Sequence, residues 1–518
     1  MKVLCDEFKM YGSVYERFMN DDPEDRLSDE KEPVFTQSQD RVVALSWKDS
    51  FRQIIAACIS FSIVIQVGAN MSFSSILVPQ LAEKDSPIHI TRSDASWIAS
   101  IVAIALPMGA LIVGPLMDVY GRKKISILIS APFVVAWIFQ IYATDLWHIY
   151  IARVISGFTG GLTTAAIVYI SEISHPSLRQ ALLSLNSVFV SLGVLLTYLF
   201  GTILRWRITA MLLCAGSILS GVGMMFLPES PYWCLIFKND YGGAQKALRA
   251  LFKNHEVFDS QYHHLLLVKR KAMNRSDGNE TRLQKLKEEV RLITHKTVYK
   301  PTVILFLIFF AQQITGGYVI IFYATDIFRK LDGQSQNQGM TEMASLVLLG
   351  VIRFLASGVS FLVSKNFGRR SILMTSGVGM AFCSFVAGVY IYFTVLSNEQ
   401  IEAMNLTTSD KTYNIAFLFV LGYVAFGSLG FLVIPWTLIG ELLPVKVRGL
   451  IGGVLVSLAY VMMFFFVKIF PAILDSIDIH SIFCVVSILN LVSVMFIYFF
   501  LPETLGRNFS EIEGYFER

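Results

Sequence analysis

Three short charged motifs occur twice in this chain, in the same order, with mostly apolar sequence around them. Gly121-Arg122-Lys123-Lys124 recurs as Gly368-Arg369-Arg370. Glu172, followed by Arg179, recurs as Glu441 followed at the same spacing by Arg448. Pro228-Glu229-Ser230 recurs as Pro502-Glu503-Thr504. Repeated punctuation implies repeated architecture, so the chain is constrained to two similar halves. The apolar stretches between the motifs reach the length of about 20 residues that a helix needs to cross a bilayer core. In lipid every backbone group must be satisfied internally, and stretches of this length do that as helices.

Twelve such stretches are present. The first six lie near 54–78, 96–117, 125–143, 149–171, 181–203 and 208–227. The second six lie near 302–325, 342–364, 371–393, 413–440, 449–470 and 480–501. The expected fold class is an all-α membrane protein, with twelve transmembrane helices in two six-helix bundles. The domains expected are a tail at 1–53, a bundle at 54–227, a linker at 228–300, a bundle at 301–501 and a tail at 502–518. In the linker, Ala244 to Phe252 and Leu283 to Leu292 have the apolar spacing of short amphipathic helices at a membrane surface.

Composition agrees. The chain is 54% hydrophobic and 16% charged, where soluble proteins carry about 25% charged residues. Its net charge of +4 calls for no nucleic-acid partner. Cys5, Cys58, Cys214, Cys234, Cys383 and Cys484 are scattered without metal-type spacing, so no metal, cofactor or disulfide framework is expected. Nor does a nucleophile–base pair or phosphate loop stand out, so the chain is not expected to be an enzyme. Residues 1–53 lack the apolar core of a signal peptide and are expected to be a polar tail.

Basic residues set the expected orientation. Arg122, Lys123, Lys124, Arg179, Lys365, Arg369, Arg370, Lys446 and Arg448 all fall in alternate short loops. Those loops, both termini and the linker are therefore expected to be cytoplasmic. Asn405-Leu406-Thr407 then lies outside, which makes Asn405 the expected glycosylation site.

At the cytoplasmic ends, Gly121 and Gly368 permit tight turns. The basic residues that follow can reach helix carbonyls and carboxylates. Asp118, Arg122, Glu172, Arg179, Glu229, Arg369, Arg370, Glu441 and Arg448 are expected to form a gate, with acids and bases available to pair between the bundles.

The residues resemble the sugar porter family of the major facilitator superfamily over about residues 50–515. The resemblance rests on Gly114-Pro115-x-x-Asp118-x-x-Gly121-Arg122-Lys123, Arg153-x-x-x-Gly157, Glu172 to Arg179 and Pro228-Glu229-Ser230-Pro231-x-Trp233. It rests also on Gln312-Gln313-x-x-Gly316, Pro435-Trp436 with Glu441, and Pro502-Glu503-Thr504-x-Gly506-Arg507. Asp94-x-x-Trp97 and Pro435-Trp436-x-x-x-Gly440-Glu441 are most similar to the insect facilitated trehalose transporters. The resemblance implies alternating access in the plasma membrane around a sugar site between the bundles, with Pro435 and Gly427 or Gly430 lending local flexibility. By the same resemblance Gln312 and Gln313 bond sugar hydroxyls and Trp436 packs on the ring.

Other positions depart from the family pattern. Tyr318 and Arg353 stand where the family has asparagines, Ser428 where it has a glutamate, and Ser187 where it has a glutamine. Ala459 and Met463 replace two further asparagines of the glucose facilitators, and Lys365 replaces a gate acid. Arg353 falls near the middle of its span, where an arginine costs about 2.5–3.5 kcal/mol on insertion scales. It is expected to face a cavity, where it either favours an anionic solute or is satisfied by carbonyls, Tyr318 and water. Residues 54–78 hold no acid or base, so passive uniport is expected rather than proton coupling. A receptor that kept the fold and lost transport is the alternative of another class.

Overall fold

The computed structural model describes residues 46–276, 295–332, 338–364, 367–403, 413–444, 448–505, 511 and 514–516. Most of the tail, Leu283 to Leu292, Lys365, Asn405 and the side chain of Arg448 lie outside the described residues. Among the described residues, twelve helices are long and apolar enough to cross a membrane. Spans 1 to 6 are Trp47–Leu81, Arg92–Tyr120, Arg122–Ile141, Leu146–Ile173, Pro176–Ile203 and Trp206–Met225. Spans 7 to 12 are Lys296–Ile314, Ala344–Val363, Arg369–Thr394, Ile415–Leu442, Ile451–Ser476 and Ile479–Phe500.

Within the first half, span 2 packs on span 4, span 1 on span 5 and span 3 on span 6. In the second half, span 9 packs on spans 10 and 12. Between the halves, span 2 lies along span 11 and span 5 along span 8. Small residues permit the closest approaches. At Gly193 of span 5 a Cβ would lie 2.1 Å from the Ile65 carbonyl oxygen of span 1.

Two helices break inside their membrane stretch. Span 7 stops at Ile314, turns through Gly316 with φ 78°, and resumes as Gly317–Phe322. A left-handed residue at that turn explains the glycine. Span 10 breaks between Leu429 and Ile434, where Leu432 N–H donates back to the Gly427 carbonyl at 2.9 Å. Pro435, without an N–H, sits in the first turn of the resumed helix.

The first helix begins at Trp47 rather than at 54. Its added turns are protein-packed: buried Asp49 accepts from the Lys253 N–H at 2.9 Å, and Gln53 accepts from the His175 N–H at 2.9 Å. The linker helix Tyr241–Leu251 buries Ala244, Ala247, Leu248 and Leu251. Its apolar face packs on Pro231–Ile236, His255–Ser276 and the start of span 1. The sequence suggests a membrane surface for that face, but protein covers it, because Asp49 ties the adjoining backbone to the first half.

Candidate functional site

The doubled motifs build the same cluster twice. In the first half Arg122 Nε donates to Glu172 Oε1 at 3.0 Å and its Nη1 to the Met117 carbonyl at 3.1 Å. In the second half Arg369 Nε donates to Glu441 Oε1 at 3.0 Å and its Nη1 to the Ser364 carbonyl at 2.8 Å. Ser230 Oγ reaches the other oxygen of Glu172 at 2.5 Å, and Thr504 Oγ1 the other oxygen of Glu441 at 2.6 Å. Glu229 Oε1 accepts from the Lys123 and Ser230 N–H groups at 2.8 and 2.9 Å. Glu503 Oε1 accepts from those of Arg369 and Thr504 at 2.8 and 2.9 Å. Lys123 caps the Met225 carbonyl at the end of span 6, and Arg370 caps the Tyr498 carbonyl near the end of span 12. Asp118 adds a longer contact, 3.4 Å from Arg122 Nη1.

These acids are expected from sequence to pair between the halves. In this structure Glu172 and Glu441 each bond inside their own half, because the hydroxyl and the arginine of the same repeat already occupy both carboxylate oxygens. Arg179 makes no described ion pair with Glu172; its Nη2 lies 3.4 Å from the Ser174 carbonyl. Ser230, Thr504 and Glu503 complete the clusters and were legible as the repeated Pro-Glu-hydroxyl triplet.

Beside the first cluster, burial and then Glu229 push the Cys234 thiol up to about 11. His175 caps span 5, its Nδ1 accepting from the Ser177 N–H at 3.3 Å. Burial, then Arg179, holds its imidazole below the ordinary histidine range.

The halves are tied at the end opposite the motifs. Ser75 Oγ of span 1 donates to the Ile321 carbonyl of span 7 at 2.9 Å, and Thr325 Oγ1 donates to the Ser75 carbonyl at 2.6 Å. Tyr198 OH of span 5 donates to the same Ile321 carbonyl at 2.9 Å. Arg92 meets Asp475 at 2.7 Å. Lys468 Nζ donates to Ser96 Oγ at 2.6 Å and lies 3.8 Å from the Trp97 ring centre.

Between these ends the broken helices bring most of the sequence-selected residues together. Gln312 Nε2 donates to the Phe431 carbonyl, freed by the break in span 10, at 2.6 Å. Gln313 Nε2 donates to Gln312 Oε1 at 3.2 Å. Both glutamines are buried and thus bonded within the second half. Gln313 also lines an apolar cavity of about 290 Å³ with Tyr423, Phe470, Ile473 and Phe483. Trp436 Nε1 donates to Tyr318 OH at 3.1 Å, and its ring meets Phe309 and Tyr460 at 5.0 and 5.3 Å. Arg353 is 4% exposed, with Tyr318 and Tyr198 as its electrostatic neighbours. Among the described residues its Nε and Nη1 have no hydrogen-bond partner, and neither has buried Ser428 Oγ. Ser187 is half-buried and is not brought into this cluster by any described hydrogen bond.

A second arginine behaves differently. The sequence places Arg153 at the start of span 4, but it is 1% exposed inside the first half. Its Nη1 donates to the Asn70 carbonyl at 2.7 Å and its Nη2 to Ser74 Oγ at 2.6 Å, with the guanidinium 5.6 Å from the Phe73 ring centre.

Comparison with known proteins identifies the family and the fold. A family model described as "Sugar (and other) transporter" matches residues 36–516. The chain is 29% identical over 455 residues to the facilitated trehalose transporter Tret1 of Bombyx mori, covering 87% of this chain and 85% of that one. It is 28% identical to the solute carrier family 2, facilitated glucose transporter member 8, of Mus musculus, covering 88% and 92%. Among solved structures, it resembles the proton:xylose symporter XylE bound to 6-bromo-6-deoxy-D-glucose, with TM-score 0.70, 18% identity and 90% and 100% of the two chains covered. A partially occluded inward-open form of XylE from E. coli matches with TM-score 0.69 at 17% identity, covering 88% and 100%.

Proposed function

Because the chain belongs to the Sugar (and other) transporter family, we propose that it carries a sugar, trehalose-like or hexose, across the membrane by facilitative alternating access. The observation that carries this reading is the unequal tying of the two ends. Spans 1 and 7, 5 and 7, and 2 and 11 are bonded across the halves at the far end. At the motif end the described bonds of Glu172 and Glu441 stay inside each half. Two stiff bodies joined at one end can rock, and a shift of a few kcal/mol moves such an equilibrium.

The reading assigns Trp436, Gln312, Gln313, Tyr318, Arg353, Ser428 and Ser187 to the solute pathway. The motif clusters act as the rigid parts of the gate, with Arg179 and Arg448 beside them. It keeps the division into bundles at 54–227 and 301–501, places the motif end in the cytoplasm, and sets the protein in the plasma membrane. Span 1 supplies no Asp, Glu, His, Lys or Arg between Ile54 and Val78, which supports uniport. Its buried Gln66 joins span 3 through the Trp137 N–H at 2.9 Å.

Counterflow in proteoliposomes tests the reading. Liposomes preloaded with trehalose or glucose should transiently accumulate labelled sugar, without any response to an imposed pH gradient. Folded protein that exchanges no solute would overturn transport and favour the receptor alternative. Accumulation that follows the pH gradient would overturn uniport.

A further inference from the structure

Arg353 lies on the face of span 8 that meets the first half. Ser357, one turn on, shares a 2.7 Å hydrogen bond with Ser191 of span 5. Gly350, one turn back, lies where a Cβ would be 3.0 Å from Leu195 Cα. Between them the guanidinium sits with Tyr198 of the first half and Tyr318 of the second as its electrostatic neighbours. Neither tyrosine is idle: Tyr198 OH donates to the Ile321 carbonyl, and Tyr318 OH accepts from Trp436.

An arginine at this depth is tolerated when most of its donors are met, as Arg153 illustrates: both terminal nitrogens donate, to a carbonyl and a hydroxyl, and among the described residues only its Nε lacks a partner. Arg353 differs: among the described residues its Nε and a terminal nitrogen, Nη1, are buried without a partner, no described hydrogen bond is made by its guanidinium, and the neighbours acting on it are the two tyrosines. Such a charge is uncompensated, and leaving it so costs several kcal/mol. Neutral hydroxyls offset that cost weakly. A carboxylate accepts from guanidinium in charge-assisted bonds roughly twice as strong as neutral ones. Trp436 donates to Tyr318, itself an electrostatic neighbour of Arg353, and so brings a flat apolar ring to the same cluster.

We propose that Arg353 anchors the carboxylate of a transported sugar acid, with the sugar ring held on the Trp436 side. The inference deepens the transport reading and rests on it. D-glucuronate is the probe, against glucose and trehalose as neutral sugars and chloride as a non-sugar anion. Counterflow by the wild-type protein should favour glucuronate over glucose by about ten-fold or more. Arg353→Asn should bring the ratio of glucuronate to glucose exchange down to about one, whatever its effect on the absolute rates, and Arg353→Lys should keep part of the preference. Carriage of one negative charge should also make uptake electrogenic, with about ten-fold accumulation at an inside-positive potential of about 60 mV. Purified wild-type protein should gain thermal stability from glucuronate more than from glucose, which keeps the idea testable if a variant fails to fold.

Exchange of neutral sugars that glucuronate neither competes with nor replaces would overturn the anchor and leave transport standing. Equal stabilisation by chloride, without glucuronate exchange, would mean a resident anion and overturn it too. No exchange of any solute would instead remove the transport reading beneath it.

Discussion

The two halves agree at their motif ends and part company in their interiors. At the motif end each half repeats an arginine on a carboxylate, a hydroxyl on the other carboxylate oxygen, and a second glutamate holding backbone N–H groups. In the interior the first half keeps an arginine whose two terminal nitrogens are both held by its own span 1. The second half presents one with unmet donors to the dividing surface. The part that holds each half's helix ends together is copied, and the interior at the dividing surface, which the transport reading assigns to the solute, is free to differ.

The largest test of that comparison removes the carboxylate charge. Arg122 is 6% exposed and Arg369 2%, so each loses the counter-charge of a buried pair. Breaking such a pair from one side costs about 3–5 kcal/mol. Glu172→Gln and Glu441→Gln should therefore lower the thermal midpoint in detergent by similar, large amounts. A large drop for one and none for the other would break the equivalence of the clusters.

Smaller effects should separate the two glycines. Gly121 has φ 95°, and an added Cβ would lie 2.7 Å from Glu229 Oε2. Backbone strain of that kind costs about 1–3 kcal/mol. Gly368 has no such φ, but its Cβ would lie 2.0 Å from Glu503 Oε2. Gly368→Ala should thus act by pushing Glu503 off the Arg369 and Thr504 N–H groups. It should add little to Glu503→Ala, whereas Gly121→Ala should still destabilise a Glu229→Ala background. Thermal midpoints of the four single and two double variants decide this.

How far the sequence could be read follows the same division. The clusters were legible because the residues that touch are the residues that repeat, so each copy vouches for the other. The breaks of spans 7 and 10 fall at Gly316 and beside Pro435, inside stretches that the sequence presents as continuous. What escaped depends on distant chain. Gln312 matches a sugar-binding position, yet its bond to Phe431 exists only because span 10 breaks beside it and frees a carbonyl. Tyr198 gave no sign of meeting Arg353, since their spans touch only when the halves pack. The early start of the first helix was hidden for a like reason, as the partners of Asp49 are at Lys253 and Asn254.

One asymmetry beside the first cluster should show in pH dependence. The His175 pKa is depressed in the folded state, so its contribution to stability is present above the ordinary histidine pKa near 6.5. It is lost as pH falls through the folded value. Protonation also removes the lone pair that accepts from Ser177 N–H. Melting should fall more steeply from pH 7 to 5 in the wild type than in His175→Asn, which can cap without titrating. His175→Ala should lower stability by about 1 kcal/mol at neutral pH. Equal slopes for wild type and His175→Asn would remove the histidine from the account.

The smallest effect is expected where the halves are tied to each other. Arg92 is 77% and Asp475 31% exposed as side chains, and ion pairs of that kind are worth about 0–1 kcal/mol. A rocking protein needs this contrast, because strong bonds within each body preserve its shape while weak ones between bodies allow them to part. Asp475→Asn should leave the thermal midpoint nearly unchanged. It should still shift the balance of open ends by up to about five-fold, the equilibrium equivalent of about 1 kcal/mol. The shift should shrink at high salt, where exposed pairs are screened. Labelling rates of single cysteines placed at the two ends of the pathway would measure it. A large loss of stability with no change in labelling would mean that the far-end pair holds the fold together rather than setting the conformational balance.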